Sequence, residues 1–126
     1  MLYDPPKTMI YFLIGVGAFF GAISRYLLSG YLEKLLLLGF PLGTVIVNLI
    51  GCYLIGVFLA FNFSNKDLIG PFIAIGYLGS FTTFSAFTKE VLLFSNSNGW
   101  IPSIFIALII SSLCVFSTFM GHKMFS

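Results

Sequence analysis

The sequence predicts an all-α integral membrane protein of four transmembrane helices, the third broken near its middle, with a charge balance that permits an antiparallel dual-topology homodimer. Three observations carry that fold class. Of 126 residues, 59% are hydrophobic and only 8% charged, against roughly 25% charged in an ordinary soluble domain. The apolar residues fall into four runs, each about the 20 residues that a helix needs to cross hydrocarbon. The few basic residues divide evenly between the two sides of such a bundle. A single four-span domain, 1–126, accounts for the chain, and a net charge of +2 without a basic cluster excludes nucleic acid as a partner.

The first span runs from about Met9 to Leu32. It follows Asp4 and Pro5-Pro6 and leads into Arg25 without a convincing cleavage site, so it reads as a permanent span and not a signal peptide. Glu33-Lys34, Gly39 and Pro41 separate it from the second span, about Phe40 to Phe63. A polar turn, Asn62 to Asp67 with Asn65 and Lys66, precedes the third span, about Leu68 to Phe94; a second turn, Ser95 to Gly99, precedes the fourth, about Trp100 to Met120. Cys52 and Cys114 lie deep inside apolar runs and report packing.

An even number of spans places both termini on one side. Lys7, Lys66 and Lys123 then face Arg25, Lys34 and Lys89, so the positive-inside rule has no bias to act on and the chain can insert both ways up. Gly15, Gly17 and Gly21 in the first span and Gly51 and Gly56 in the second let backbones approach closely, as associating membrane helices require.

Polar residues at membrane depth are costly and face a bundle interior or an aqueous path. Arg25, near the end of the first span, either snorkels to headgroups or holds a positive field over an anion entrance. Glu90, beside Lys89, is either a solvated ion at a helix end or a structural partner at a pathway mouth. Asn48 lies mid-span in VIVNLIG; an interhelical packing bond is its simpler reading, and an N–H donor aimed at an anion the functional one. The third span carries Gly76-Tyr77-Leu78-Gly79-Ser80-Phe81-Thr82-Thr83-Phe84-Ser85. Glycine costs about 1 kcal/mol against alanine in a helix, and threonine is β-branched, so a break is expected there. Carbonyls freed at that depth must be buried or coordinate something, and they suit a hard alkali cation. Phe84 and Phe87 share a helical face, and their ring edges carry partial positive charge. In the fourth span Ser111 and Ser112 are weaker pore candidates.

Together these motifs resemble the small dual-topology fluoride channels called Fluc. The resemblance rests on Gly21-Ala22-x-x-Arg25-Tyr26, on Pro41-x-Gly43-Thr44-x-x-Val47-Asn48-x-x-Gly51, and on Gly76-x-x-Gly79-x-x-Thr82-Thr83-Phe84-Ser85-x-Phe87 followed by Glu90. It covers nearly the whole chain. It departs at Ser80, where many members have glycine, at Ala86, where many have threonine, and in the fourth span, which lacks a tyrosine found in some members. The resemblance implies a passive, selective fluoride channel of the inner membrane, a non-enzyme, built as an antiparallel homodimer with two pores. It implies that Asn48, Phe84 and Phe87 form the anion path, that Thr44, Ser85 and Glu90 lie near it or its mouth, and that Arg25 lies in the vestibule. It also implies that the Gly79 and Thr82 carbonyls, with their symmetry mates, hold a structural sodium ion on the dimer axis.

Readings from other classes fit the residues less well. A small dual-topology multidrug exporter needs an intramembrane carboxylate, and the first span has none. A non-conducting assembly subunit gives no reason for Asn48 or the glycine-threonine break. An intramembrane serine hydrolase lacks a base, since His122 lies beyond the fourth span.

Overall fold

The structure, a computed structural model, describes residues 4–61 and 68–126. Helix α1 (Lys7–Leu32) begins on the Pro6 carbonyl, which accepts from Met9 and Ile10. Helix α2 is Gly43–Ala60, and α5, Trp100–Phe125, is the last element. These three are long and apolar enough to cross a membrane; at 1.5 Å per residue, a helix of about 20 residues spans the hydrocarbon. The remaining helical chain is bent. A π-helical segment, Pro71–Leu78, runs into the turn α3 (Gly79–Phe81), and after a break α4 covers Phe84–Asn98. The polar turn expected at 62–67 lies outside the described residues.

Helices α1 and α5 expose large apolar side chains along their length, Phe12, Phe19, Phe105 and Phe116 among them, as hydrocarbon-facing helices do. Helix α2 is the most enclosed of the three long helices. It packs along α5, while α1 packs along the π-helical segment. Small residues make both pairings possible. A Cβ on Gly21 would meet the Tyr77 carbonyl and one on Gly76 the Ile14 carbonyl; Gly56 and Gly121 stand in the same relation to Thr118 and Tyr53. Of the glycines read as helix-association residues, Gly17, Gly21 and Gly56 thus hold this chain's own helices together, backbone against backbone, while Gly51 meets the Thr82 side chain and Gly15 has open space around it.

Three boundaries differ from the sequence reading. The link before α2 is a small antiparallel hairpin, β1 (Leu36–Leu37) and β2 (Phe40–Pro41), and not the start of the second span. Leu38 and Gly39 have φ of 53° and 84°, as the two central residues of a type I′ turn require. Phe40 is thereby driven into the core, 1% exposed, edge-on to Phe87 and Phe94. The stretch Ser95 to Asn98, read as a turn, completes α4: Ser95 and Asn98 satisfy themselves by donating to the Leu92 and Phe94 carbonyls. Gly99 alone, at φ 84°, joins α4 to α5. The π-helical segment had no counterpart in the sequence reading; Gly79 N–H reaches back to the Ala74 carbonyl, the i to i−5 bond of a widened turn.

Candidate functional site

The break falls at Thr82 and Thr83, whose backbones are extended (ψ 153° and 123°) within an otherwise helical run. Extended residues cannot pass on helical hydrogen bonds, and several of the groups at the break find other partners. Thr83 N–H, which a continuous helix would direct to the Gly79 carbonyl, donates to Asn48 Oδ1 at 2.8 Å. The Thr83 carbonyl accepts from Asn48 Nδ2, also at 2.8 Å. Thr83 Oγ1 accepts from Ala86 N–H and caps α4. The Ser80 carbonyl accepts from Arg25 Nε at 3.1 Å. Thr82 Oγ1 donates to the Leu78 carbonyl, four residues back. Gly51 completes the fit, because a Cβ there would occupy the place of Thr82 Cγ2.

Asn48 therefore performs the packing role that was its simpler reading, and does so against backbone and not against another side chain. An amide has two N–H donors; the bond to Thr83 uses one. The same side chain borders a cavity of about 290 Å³ shared with Thr82, Thr83, Phe84, Phe87, Ile110, Ser111 and the two cysteines. Phe87 is 4% exposed and Phe84 72% exposed, with ring centroids 6.0 Å apart. Phe87 is part of the core against Phe40, and Phe84 forms the open rim. Every lining residue is uncharged. The second Asn48 N–H, the Ser111 hydroxyl and the two rings belong to residues that border this space, with no fixed charge among them.

Helical spacing explains a second alignment. Thr44, Asn48 and Cys52 recur every four residues on one face of α2. Thr44 Oγ1 donates to Glu90 Oε1 at 2.6 Å, which turns the carboxylate inward. The solvated-ion reading of Glu90 is thus corrected in favour of a structural link between α2 and α4. Glu90 Oε2 is buried and lacks a hydrogen-bond partner among the described residues; the carboxylate borders a separate cavity with Gly39, Pro41 and Asn98.

The other expected residues divide. Ser111 joins Asn48, Phe84 and Phe87 at the cavity. Ser112, one residue on, turns to a different face beside Phe105 and Phe116 and donates to the Leu108 carbonyl. Ser85 Oγ lies 3.3 Å from Thr83 Oγ1, at the start of α4 and outside the cavity lining. Arg25 does not simply snorkel, since its guanidinium is committed to the break. Gly79 and Thr82 line a smaller cavity of about 140 Å³ with Gly51 and Ala74. The residue that sequence reading placed at the break but not in the site is Thr83, the pivot that four bonds converge on. Its signal was present: a threonine three residues before Ala86 at a helix start is a capping position.

Comparison with known proteins bears on what this arrangement serves. A family model described as "CrcB-like protein, Camphor Resistance (CrcB)" matches residues 12–122. The chain is 36% identical over 117 residues to the "Fluoride-specific ion channel FluC" of a Nitratiruptor species, covering 92% of this chain and 91% of that one. It is 35% identical over 113 residues to the protein of the same name from Shewanella sediminis, covering 88% and 91%. These matches span all but the ends of the chain: the protein belongs to the CrcB-like family.

Proposed function

We propose that the chain is a fluoride-selective channel that lets fluoride leave the cytoplasm passively through the inner membrane. The cavity at the break carries this reading: Asn48, Ser111, Phe84 and Phe87 surround a space with dipolar donors and no fixed charge. Fluoride is small and strongly hydrated, so a selective path must replace its water with dense, well-sized donors and still release it. An inside-negative potential supplies about 2.3 kcal/mol per 100 mV for outward movement of one anion. The protein therefore needs neither a fuel site nor a catalytic group, and the relatives of 36% and 35% identity carry the fluoride-channel name.

In this reading the bent segment from Leu68 to Asn98 is the third of four crossings, and the working unit is an antiparallel homodimer with two pores. The even division of Lys and Arg supports dual insertion, and the exposed Phe84 at the cavity rim supports a second subunit closing the path. The Gly79 and Thr82 carbonyls fit a structural sodium ion shared between two subunits. Thr83 N–H is diverted from Gly79 to Asn48, and carbonyl oxygen is the donor class that a hard monovalent cation prefers. Sodium would supply electrostatic anchorage across the two breaks. Arg25 holds the Ser80 carbonyl beside it, and Thr44 with Glu90 braces α2 against α4 at the pathway mouth.

Growth of a bacterium stripped of its own fluoride exporters tests the proposal. Expression of this chain is expected to restore growth in millimolar fluoride, and expression of the Asn48→Asp variant to fail at equal protein level. Equal failure of both chains, each confirmed in the membrane fraction, would contradict it.

A further inference from the structure

The cavity contains two nucleophilic side chains that the proposed conduction does not use. Cys52 follows Asn48 by four residues on α2, and Cys114 follows Ser111 by three on α5, so each thiol lies one turn from a polar residue of the same cavity wall. The two helices bring the thiols to one place: both cysteines are free and both line the cavity, and on parallel helices, where Leu49 meets Ser117 and Tyr53 meets Gly121, each cysteine precedes by four residues the close approach of Gly56 to the Thr118 carbonyl. Neither is fully buried. The break and the Asn48 clamp account for the polar groups of Asn48, Thr82 and Thr83 around this space and leave the two thiols without a bond to it.

We propose that Cys52 and Cys114 form a two-thiolate site for a soft, linearly coordinating divalent metal, for which mercuric ion is the probe, and that its occupation blocks the cavity. The inference rests on the channel reading for the block, but not for the binding. Thiolate is a soft ligand and selects soft metals. Charge then decides among them at membrane depth. Two thiolates and one divalent cation make a neutral centre, whereas a monovalent soft cation leaves a net negative charge in a low-dielectric setting, where unpaired charge is expensive. A divalent metal that demands four ligands is poorly served, because Asn48 Oδ1 already accepts from Thr83 N–H, Thr82 Oγ1 donates to the Leu78 carbonyl and Thr83 Oγ1 accepts from Ala86 N–H. Mercuric chloride is neutral and crosses lipid. Each thiol loses its proton to water, two S–Hg bonds form, two Hg–Cl bonds break, and two protons and two chloride ions are released without any redox change.

The test is made on the full-length protein in liposomes and in detergent. Metal analysis after desalting is expected to give one mercury per wild-type chain. Fluoride efflux, each variant scored against its own untreated rate, is expected to stop with mercuric chloride and to recover with dithiothreitol. Either Cys52→Ser or Cys114→Ser is expected to raise the half-blocking concentration about tenfold or more, since the second thiol acts at high effective concentration. Two mercury atoms per chain, no retained mercury, or a half-blocking concentration unchanged in both serine variants would overturn the site. Should the wild-type protein show no fluoride efflux at all, the channel reading fails while the mercury count still decides the site. One mercury per chain with undiminished efflux contradicts the block.

Discussion

Replacing Asn48 by aspartate separates the two jobs that the amide performs. The aspartate still accepts the Thr83 N–H, as Asn48 Oδ1 does at 2.8 Å, but its other oxygen now faces the Thr83 carbonyl that Asn48 Nδ2 had bonded at 2.8 Å. One hydrogen bond is lost, about 1 kcal/mol, close to the range of about 0.6 to 1.7 kcal/mol found for interhelical bonds in membranes, with some added oxygen–oxygen repulsion. A helical membrane protein survives that loss. The effect on an anion in the neighbouring cavity is larger. At a separation of about 4 Å and an effective dielectric constant of about 20, the repulsion between carboxylate and anion is ~4 kcal/mol, roughly a thousandfold in occupancy. The Asn48→Asp protein is therefore expected to elute from gel filtration like the parent, to melt a few degrees lower, and to give fluoride efflux below detection. Efflux within about twofold of the parent, from protein shown to be folded, would refute the placement of Asn48 on the path.

Other substitutions test the packing and the rim. Phe87→Ala removes a core ring 4% exposed and is expected to cost about 3 to 5 kcal/mol, read as a large drop in thermal midpoint in detergent. Phe84→Ile is expected to weaken fluoride efflux without loss of folded protein, since it replaces a ring edge by an aliphatic group. Gly21→Val drives a side chain into the Tyr77 carbonyl and is expected to destabilise by about 1 to 3 kcal/mol, whereas Gly15→Ala, with open space around it, is expected to raise the midpoint slightly through helix propensity. Thr83→Ala removes the α4 cap at about 1 kcal/mol, while Thr82→Ala gives up only a bond back to the Leu78 carbonyl and is expected to affect efflux less; a larger efflux loss for Thr82→Ala would assign a role to its hydroxyl.

The membrane class, the approximate places of the apolar runs and the break in the third could be read from residue chemistry, because lipid-length hydrophobicity and a glycine-threonine cluster are local signals. Asn48, Phe84, Phe87 and Ser111 were legible as candidates for the same reason. Their convergence was not: Asn48 and Thr83 are 35 residues apart, and no periodicity states which backbone atoms an amide will find. Arg25 shows the same limit. Its position near a helix end suggested headgroups or a vestibule, yet its guanidinium meets a carbonyl 55 residues away. Ser112 looked equivalent to Ser111 in a run of hydroxyls, and about 100° of helical rotation put it on another face. The hairpin was hidden in four consecutive leucines, Leu35 to Leu38, which carry no alternation to mark strands. The π-helical segment lies backbone to backbone against Gly17 and Gly21 of α1, a tertiary contact without a local signature.

We propose that uncharged donors at the helix break set a selectivity that passes fluoride and rejects a larger anion. Its most direct test is passive efflux from liposomes containing the purified protein, with fluoride and chloride electrodes in parallel and a potassium ionophore to balance charge. Rapid fluoride release with chloride retained is the predicted result. Release of both ions at comparable rates, or of neither from protein shown to be folded and reconstituted, would contradict it.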